Sequence, residues 1–149
     1  MIIQQDNLSV IGTPTFILFD KFGAIKQQFT QPNLVVTVGK NLIADRLIGT
    51  SSAVMSHMAV GSSSTAPANG NTALGAQIST RVALSSPTRS NSTITYITTF
   101  VAGQSTGAIV EAGIFNASTA GIMLCRTTFP VINKEADDIL TINWNVTIN

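Results

Sequence analysis

From Leu140 to Ile148 the chain alternates strictly, with Leu140, Ile142, Trp144, Val146 and Ile148 on one side and Thr141, Asn143, Asn145 and Thr147 on the other. A repeat of two is the repeat of an extended strand, so one face of this segment is core and the other meets water or a partner. The pattern recurs at Ile94, Tyr96 and Phe100, set between Thr93, Thr95 and Thr99. Helix is expected only over Lys40–Ile48, where Leu42, Ile43 and Leu47 form one apolar stripe, Lys40, Asp45 and Arg46 lie off it, and Gly49 can end it.

The other segments follow in order. Met1 to Gly12 has no period and reads as an extended arm. Thr13 to Phe19 and Ala24 to Phe29 flank the Asp20-Lys21-Phe22-Gly23 turn and read as a hairpin. Leu34 to Val38 is a further β-branched run. Val54 to Val60 is the next strand, Ser62 to Asn71 a long loop with Pro67 and the Asn69-Gly70 pair, and Ala73 to Leu84 an ordered stretch. Pro87 to Ser92 reads as a polar connector and Gly103 to Gly107 as a turn. Ala108 to Phe115 and Ile122 to Phe129 make a second hairpin around Asn116 to Gly121, and Pro130 marks a strand end or bulge. About nine or ten strands and one helix predict a mainly β domain over 13–149, an antiparallel sandwich or jelly-roll-like barrel. The sequence leaves open whether Thr13 to Val38 joins the main sheets or forms a separate lobe.

Composition narrows the partners. With 149 residues the chain can bury a core of its own. Charged residues make up 10% of it and the net charge is +1 without a basic cluster, so phosphate-driven binding of nucleic acid is not expected. A surface of Ser, Thr and Asn suits either a neutral β domain or one that hides its surface against neighbours. The start lacks the pattern of a signal peptide, and no run approaches the roughly 20 apolar residues of a membrane span. Synthesis in a cytoplasm, and no membrane partner, are the expectations.

Few residues here are of the kind that carry chemistry. The lone Cys125 sits in an apolar alternation and reads as core; no disulfide or cysteine-based metal cage follows. His57, the sole histidine, reads as packed or hydrogen-bonded, with no partner suggesting a ligand or base. Asp137 and Asp138 lie in a turn and read as solvated. Neither a nucleophile elbow, a placed carboxylate pair, a P-loop nor a dinucleotide fingerprint occurs, so no enzyme and no cofactor are expected. Glycosylation-type triplets at Asn91, Asn116 and Asn145 read as chance in so Ser/Thr-rich a chain.

Glu111 is the exception, a carboxylate in an apolar neighbourhood, where burial without a partner is costly. Arg81, Arg89 and Arg126 are the only other charges between Thr50 and Asn133. Glu111 is expected either to pair with Arg81 or Arg126, fixing strand register or a subunit contact, or to lie exposed on an outer face. The long loop, through Ser62, Ser63, Ser64, Thr65, Pro67, Asn69 and Gly70, is the candidate contact with a neighbour.

Four blocks together carry a family resemblance. They are Asn41-Leu42-Ile43-Ala44-Asp45-Arg46-Leu47; Met55-Ser56-His57-Met58-Ala59-Val60-Gly61 followed by the small-residue loop, Thr72-Ala73-Leu74 and Arg81; Glu111-Ala112-Gly113-Ile114-Phe115-Asn116; and Met123-Leu124-Cys125-Arg126-Thr127-Thr128-Phe129 leading to Asp138-Ile139-Leu140-Thr141-Ile142-Asn143-Trp144. Over roughly Leu34 to Asn149 this layout resembles small structural proteins of tailed bacteriophages, and it is similar to the N-terminal attachment domain of tail-collar fibre proteins. The resemblance implies a virion component assembled in the host bacterial cytoplasm, without catalytic residues. A fibre continues into a shaft, whereas this sequence stops after its last strand, which favours a capsid decoration or cement protein. Its implied partners are its own copies, as a homotrimer, and the major capsid protein; tail, collar or baseplate proteins are the alternative. A carbohydrate-binding module starts poorly, because the one Trp and the one Tyr lie on faces that read as buried.

Overall fold

The computed structural model describes residue 1 and residues 5–149. The alternating segment becomes β10 (Ile139–Ile148), central in a five-stranded antiparallel sheet. It is flanked by β1 (Val10–Phe19) and β7 (Thr93–Phe100), with β2 (Ile25–Thr30) and β6 (Ser85–Ser90) at the edges. A second five-stranded antiparallel sheet has the order β3 (Leu34–Val35), β9 (Met123–Lys134), β8 (Gly107–Phe115), β4 (His57–Gly61), β5 (Val82–Ala83). The two pack as a β-sandwich with one helix. Leu140, Ile142 and Trp144 are fully buried between the sheets together with Phe16, Phe100, Ile109 and Ile114.

Trp144 shows why the core accepts its one large amphipathic ring. Its indole Nε1 donates to Asn33 Oδ1 at 2.7 Å, so the buried N–H has an acceptor. Asn33 reaches that point by lying across Gly12, where an added Cβ would collide with the amide. Phe16 stacks with Phe29 at 5.1 Å between ring centroids and meets Phe129 at 4.2 Å, which ties the edge strand β2 to the core.

The hairpin of β1 and β2 belongs to the main sheet, because β1 pairs along its whole length with β10, from Val10 opposite Ile148 to Phe19 opposite Ile139. The expected arm is correspondingly shorter. Val10, Ile11 and Gly12 are strand, and Ser9 exchanges two 2.9 Å backbone hydrogen bonds with Asn149. Residues 2–4 of that arm lie outside the described residues. Pro87 to Ser92, read as a connector, is mostly β6: Thr88, Arg89 and Ser90 pair with β7. All six β6 residues are exposed, so neither face imposes an apolar alternation, and Pro87 occupies the register shift between Ser85 and Thr88. Strand β4 starts at His57 rather than Val54, and Ala73 to Leu84 is largely irregular apart from β5 and a bridge between Gly61 and Gln77. Pro130 lies where β9 bulges between the Thr128 and Ile132 pairings with β8.

The helix α1 (Thr37–Leu47) begins earlier than its apolar stripe suggests. Gly39, within its first turns, presses on the Leu124 backbone of β9, where an added Cβ would meet the carbonyl oxygen directly. Gly49, at φ +77°, closes the other end, and the Thr50 N–H returns to the Asp45 carbonyl at 2.9 Å. Propensity alone would make Gly39→Ala stabilising by about 1 kcal/mol. The close approach reverses that sign: Gly39→Ala is expected to destabilise by about 1–3 kcal/mol, read from the urea midpoint.

Candidate functional site

Alternation along β8 and β4 assigns residues to two sides of the second sheet. Ile114, Met58 and Val60 face the main core, whereas Phe115 and Ala59 join Val36 and Met123 in a smaller buried cluster, with Leu74 and Val38 packed on it. That outer cluster is covered by the 62–76 segment and the start of α1. Glu111 and Arg126 share this outer side, and both are buried, at 0% and 2% exposure.

Glu111 organises the covering loop. Its Oε2 accepts from Arg126 Nε at 2.9 Å, Arg126 Nη2 at 2.8 Å and the Gly75 N–H at 2.9 Å; Oε1 accepts from the N–H groups of Ala76 at 2.7 Å and Ser63 at 3.2 Å. Arg126 extends the network by donating from Nη2 to the Thr65 carbonyl at 2.9 Å and from Nη1 to Asn71 Oδ1 at 3.1 Å. Asn71 Oδ1 also accepts from the Ala68 N–H at 2.8 Å, and the Asn69 carbonyl accepts from the Thr37 N–H at 2.9 Å. Gly61 and Gly75 leave room for this, since a Cβ at Gly61 would strike the Glu111 carboxylate and one at Gly75 would strike Ser63.

Of the two arginines considered for Glu111, Arg126 is its partner and Arg81 is not. Arg81 instead holds the turn between β8 and β9, donating from Nη1 to the carbonyls of Ala117 at 3.0 Å and Ala120 at 2.7 Å, with its guanidinium 3.5 Å from the Phe115 ring centroid. The loop residues divide by role. Ser63 and Thr65 contribute backbone groups to the ion pair and Pro67 is half-buried, while Ser62, Ser64, Asn69 and Gly70 are exposed. The loop is therefore a clamped layer of the fold, and removing part of it would strip acceptor and donors from a buried charge pair.

The outer face of the first sheet is bare by comparison. Across β1, β10 and β7 it presents Thr13, Thr15, Ile17, Thr141, Asn143, Asn145, Thr147, Thr93, Thr95, Ile97 and Thr99, with no charged side chain among them. Neighbouring hydroxyls are cross-linked: Thr93 to Thr147 at 2.8 Å, Thr95 to Asn145 Oδ1 at 2.9 Å, Thr99 to Thr141 at 3.2 Å and Thr15 to Thr30 at 3.0 Å. Such rungs make a flat, ordered, uncharged surface.

The remaining reactive groups are placed as follows. His57 is half-buried, with Nδ1 2.8 Å from Ser56 Oγ, and has no carboxylate partner among the described residues. Cys125 is fully buried, and burial pushes its thiol pKa well up, so it stays a thiol. No group of three or more His, Cys, Asp or Glu that could hold a metal occurs among the described residues, and no helix among them is long and apolar enough to cross a membrane.

Asp138 departs from its expected solvated place. It is buried, and its Oδ2 accepts from Lys26 Nζ at 2.7 Å and from the Glu135 N–H at 2.9 Å, tying β2 to the β9–β10 turn. Lys134, also buried, donates Nζ to the Val101 carbonyl at 3.0 Å. Neither the turn that holds Asp138 nor the strand end that holds Lys134 has an apolar pattern that would have marked these residues.

Comparison with protein-family models, curated proteins and solved structures gives no match for the chain. The fold defines the class: an antiparallel β-sandwich whose sheets have unequal outer faces, one covered by a clamped loop and one open.

Arg126→Met leaves Glu111 buried without its charge partner, and is expected to cost about 3–5 kcal/mol in chemical denaturation. The double variant Glu111→Met with Arg126→Met should regain only part of this. The N–H groups of Ser63, Gly75 and Ala76 would still lack acceptors, each worth about 1–3 kcal/mol when buried. The hydrogen bond from Lys26, followed by that from Glu135, holds Asp138 below the usual carboxylate range against the opposing effect of burial. A lowered pKa contributes stability above the unfolded value of about 3.9 and loses it as pH falls through the folded value. Lys26→Met should therefore raise the Asp138 pKa measured by NMR and start acid unfolding at higher pH.

Proposed function

We propose that this chain is a non-enzymatic structural protein of a tailed-phage virion, a cement or decoration protein that binds the outside of the capsid shell and stabilises contacts between capsomers. The observation that carries this reading is the asymmetry of the two outer faces. One sheet is finished with a layer of its own chain, whereas the other turns Thr, Asn and Ile outward from β1, β10 and β7 without a charge among them. Those three strands, spaced about 4.8 Å apart and about 30 Å long, present roughly 430 Å² of uncharged face. That is about half of the ~800 Å² per partner of a standard protein interface.

An uncharged hydroxyl face suits a permanent contact, because it can be desolvated without stranding an ion. It cannot draw nucleic acid by counterion release, and the one Trp and the one Tyr, Trp144 and Tyr96, are buried, so neither offers a sugar a stacking platform. The resemblance of the sequence blocks to those of phage structural proteins suggests the setting, with copies of the chain as a homotrimer and the major capsid protein as partners. A tail, collar or baseplate adaptor would use the same face in far fewer copies.

Quantitative mass spectrometry of purified particles tests the assignment. Hundreds of copies per particle are expected; a handful would move the protein to the tail, and absence from particles would overturn the virion reading. Asn145→Lys, exposed on the open face, should leave the fold intact and reduce binding to shells at least about tenfold, a loss of about 1.4 kcal/mol.

A further inference from the structure

The clamp does not use up its arginine. Of the five N–H groups of a guanidinium, Arg126 commits Nε and one of Nη2 to Glu111 Oε2, the other of Nη2 to the Thr65 carbonyl and one of Nη1 to Asn71 Oδ1. The second N–H of Nη1 has no acceptor among the described residues. Beside it the 62–76 segment encloses a polar hollow of about 440 Å³, whose lining includes Arg126, Ser63, Thr65, Asn71, Thr72 and Leu74. Arg126 is the only charged side chain in that lining; Glu111, bonded on the Nε and Nη2 side, does not reach it. Gly70, Thr72, Ala73 and Leu74 also border the hollow, and the backbone N–H groups of these four find no acceptor among the described residues.

We propose that this hollow binds a small oxyanion, a carboxylate or a phosphate-type group, with the Nη1 edge of Arg126 as its anchor. The direction of the ion pair sets the sign. Glu111 neutralises the guanidinium from one edge, so the edge turned to the hollow keeps a positive potential. A cation is repelled there, and an apolar ligand leaves the spare N–H without an acceptor. Arg126 is 2% exposed, and a charge-assisted hydrogen bond to a group so shielded from water is stronger than one at an open surface. Thr72, Ala73 and Leu74 place three N–H groups in succession along the rim, the arrangement by which loops seat anions, and the Thr65 and Thr72 hydroxyls can turn further donors inward. The volume falls within the roughly 300–1,000 Å³ of small-molecule sites, so the oxyanion can be the head of a larger ligand. The hollow lies on the covered side of the second sheet, away from the open face, and does not depend on what that face binds.

Titration of the purified chain followed by amide NMR tests this, with sodium phosphate and sodium acetate as probes and sodium chloride at equal ionic strength as the reference. Saturable shifts are expected at the amides of Gly70, Thr72, Ala73 and Leu74 and at Arg126 Nε–H, with a Kd of about 1–10 mM for at least one probe. Saturation by both probes assigns the hollow to oxyanions in general, by phosphate alone to a dianion, and by acetate alone to a carboxylate. Thr72→Glu sets a carboxylate at the rim, exposed and outside the ion pair, and should leave the rest of the spectrum in place while weakening binding at least about tenfold. Thr13→Glu, the same change at an exposed position on the open face, should leave the Kd unchanged. Shifts no larger than those of chloride at about 50 mM of each probe, well above that Kd, would overturn the proposal. So would saturable shifts centred elsewhere, a Thr72 variant that binds as the wild type does, or a Thr13 variant that loses binding equally.

Discussion

A carboxylate sealed from water is the constraint around which the second sheet is arranged. Charge in a protein interior is unfavourable by several kcal/mol unless its hydrogen-bonding capacity is filled. Glu111 fills it with three backbone N–H groups and two N–H groups of Arg126. Those three N–H groups belong to a segment with no regular structure, whose composition of Ser, Thr, Ala, Asn and Gly gives it little apolar surface to bury. The ion pair replaces the missing hydrophobic drive. Loop order, the cover over Phe115 and Met123, and the close approach at Gly61 all depend on one glutamate being charged and paired.

The two outer faces then divide the labour. The clamped layer spends its polar groups internally, so little of the 62–76 segment is left to meet a protein partner except the exposed Ser62, Ser64, Asn69 and Gly70. On the reading proposed above, recognition falls instead to the first sheet, whose rungs of hydroxyl pairs hold side chains in place before any partner arrives. Side chains already fixed lose less conformational entropy when an interface forms. Rigidity of this sort favours a standing contact over a transient one.

How much of this the sequence foretells depends on whether burial leaves a period. The sandwich is legible in β10 and β7, where one face is core and the other is not. The clamp is half legible: a lone acid among apolar residues announces a buried pair, and the hairpin centred on Asn116 to Gly121 brings position 126 within two residues of the one facing 111. In the structure Arg126 is opposite Gly113 and reaches diagonally to Glu111. Arg81 attracts attention as a lone charge in the same stretch, yet its partners are turn carbonyls, and sequence carries no mark of carbonyl direction. Strand β6 is illegible for the opposite reason, since a segment exposed on both faces has no apolar pattern. Asp138 escapes because its partner Lys26 is more than a hundred residues away and on another strand.

Pro87 in that exposed edge strand has a consequence of its own. A sheet edge with free N–H and C=O groups invites the edge of another molecule, and repeated addition of that kind ends in fibrils. At β6 the proline removes a donor, the register shift interrupts the row, and Arg89 adds charge. Crowding many copies together therefore does not extend the sheet through β6. Growth by strand addition is closed on that side, and whatever order the molecules adopt there comes from faces that fit, which stop when they are filled.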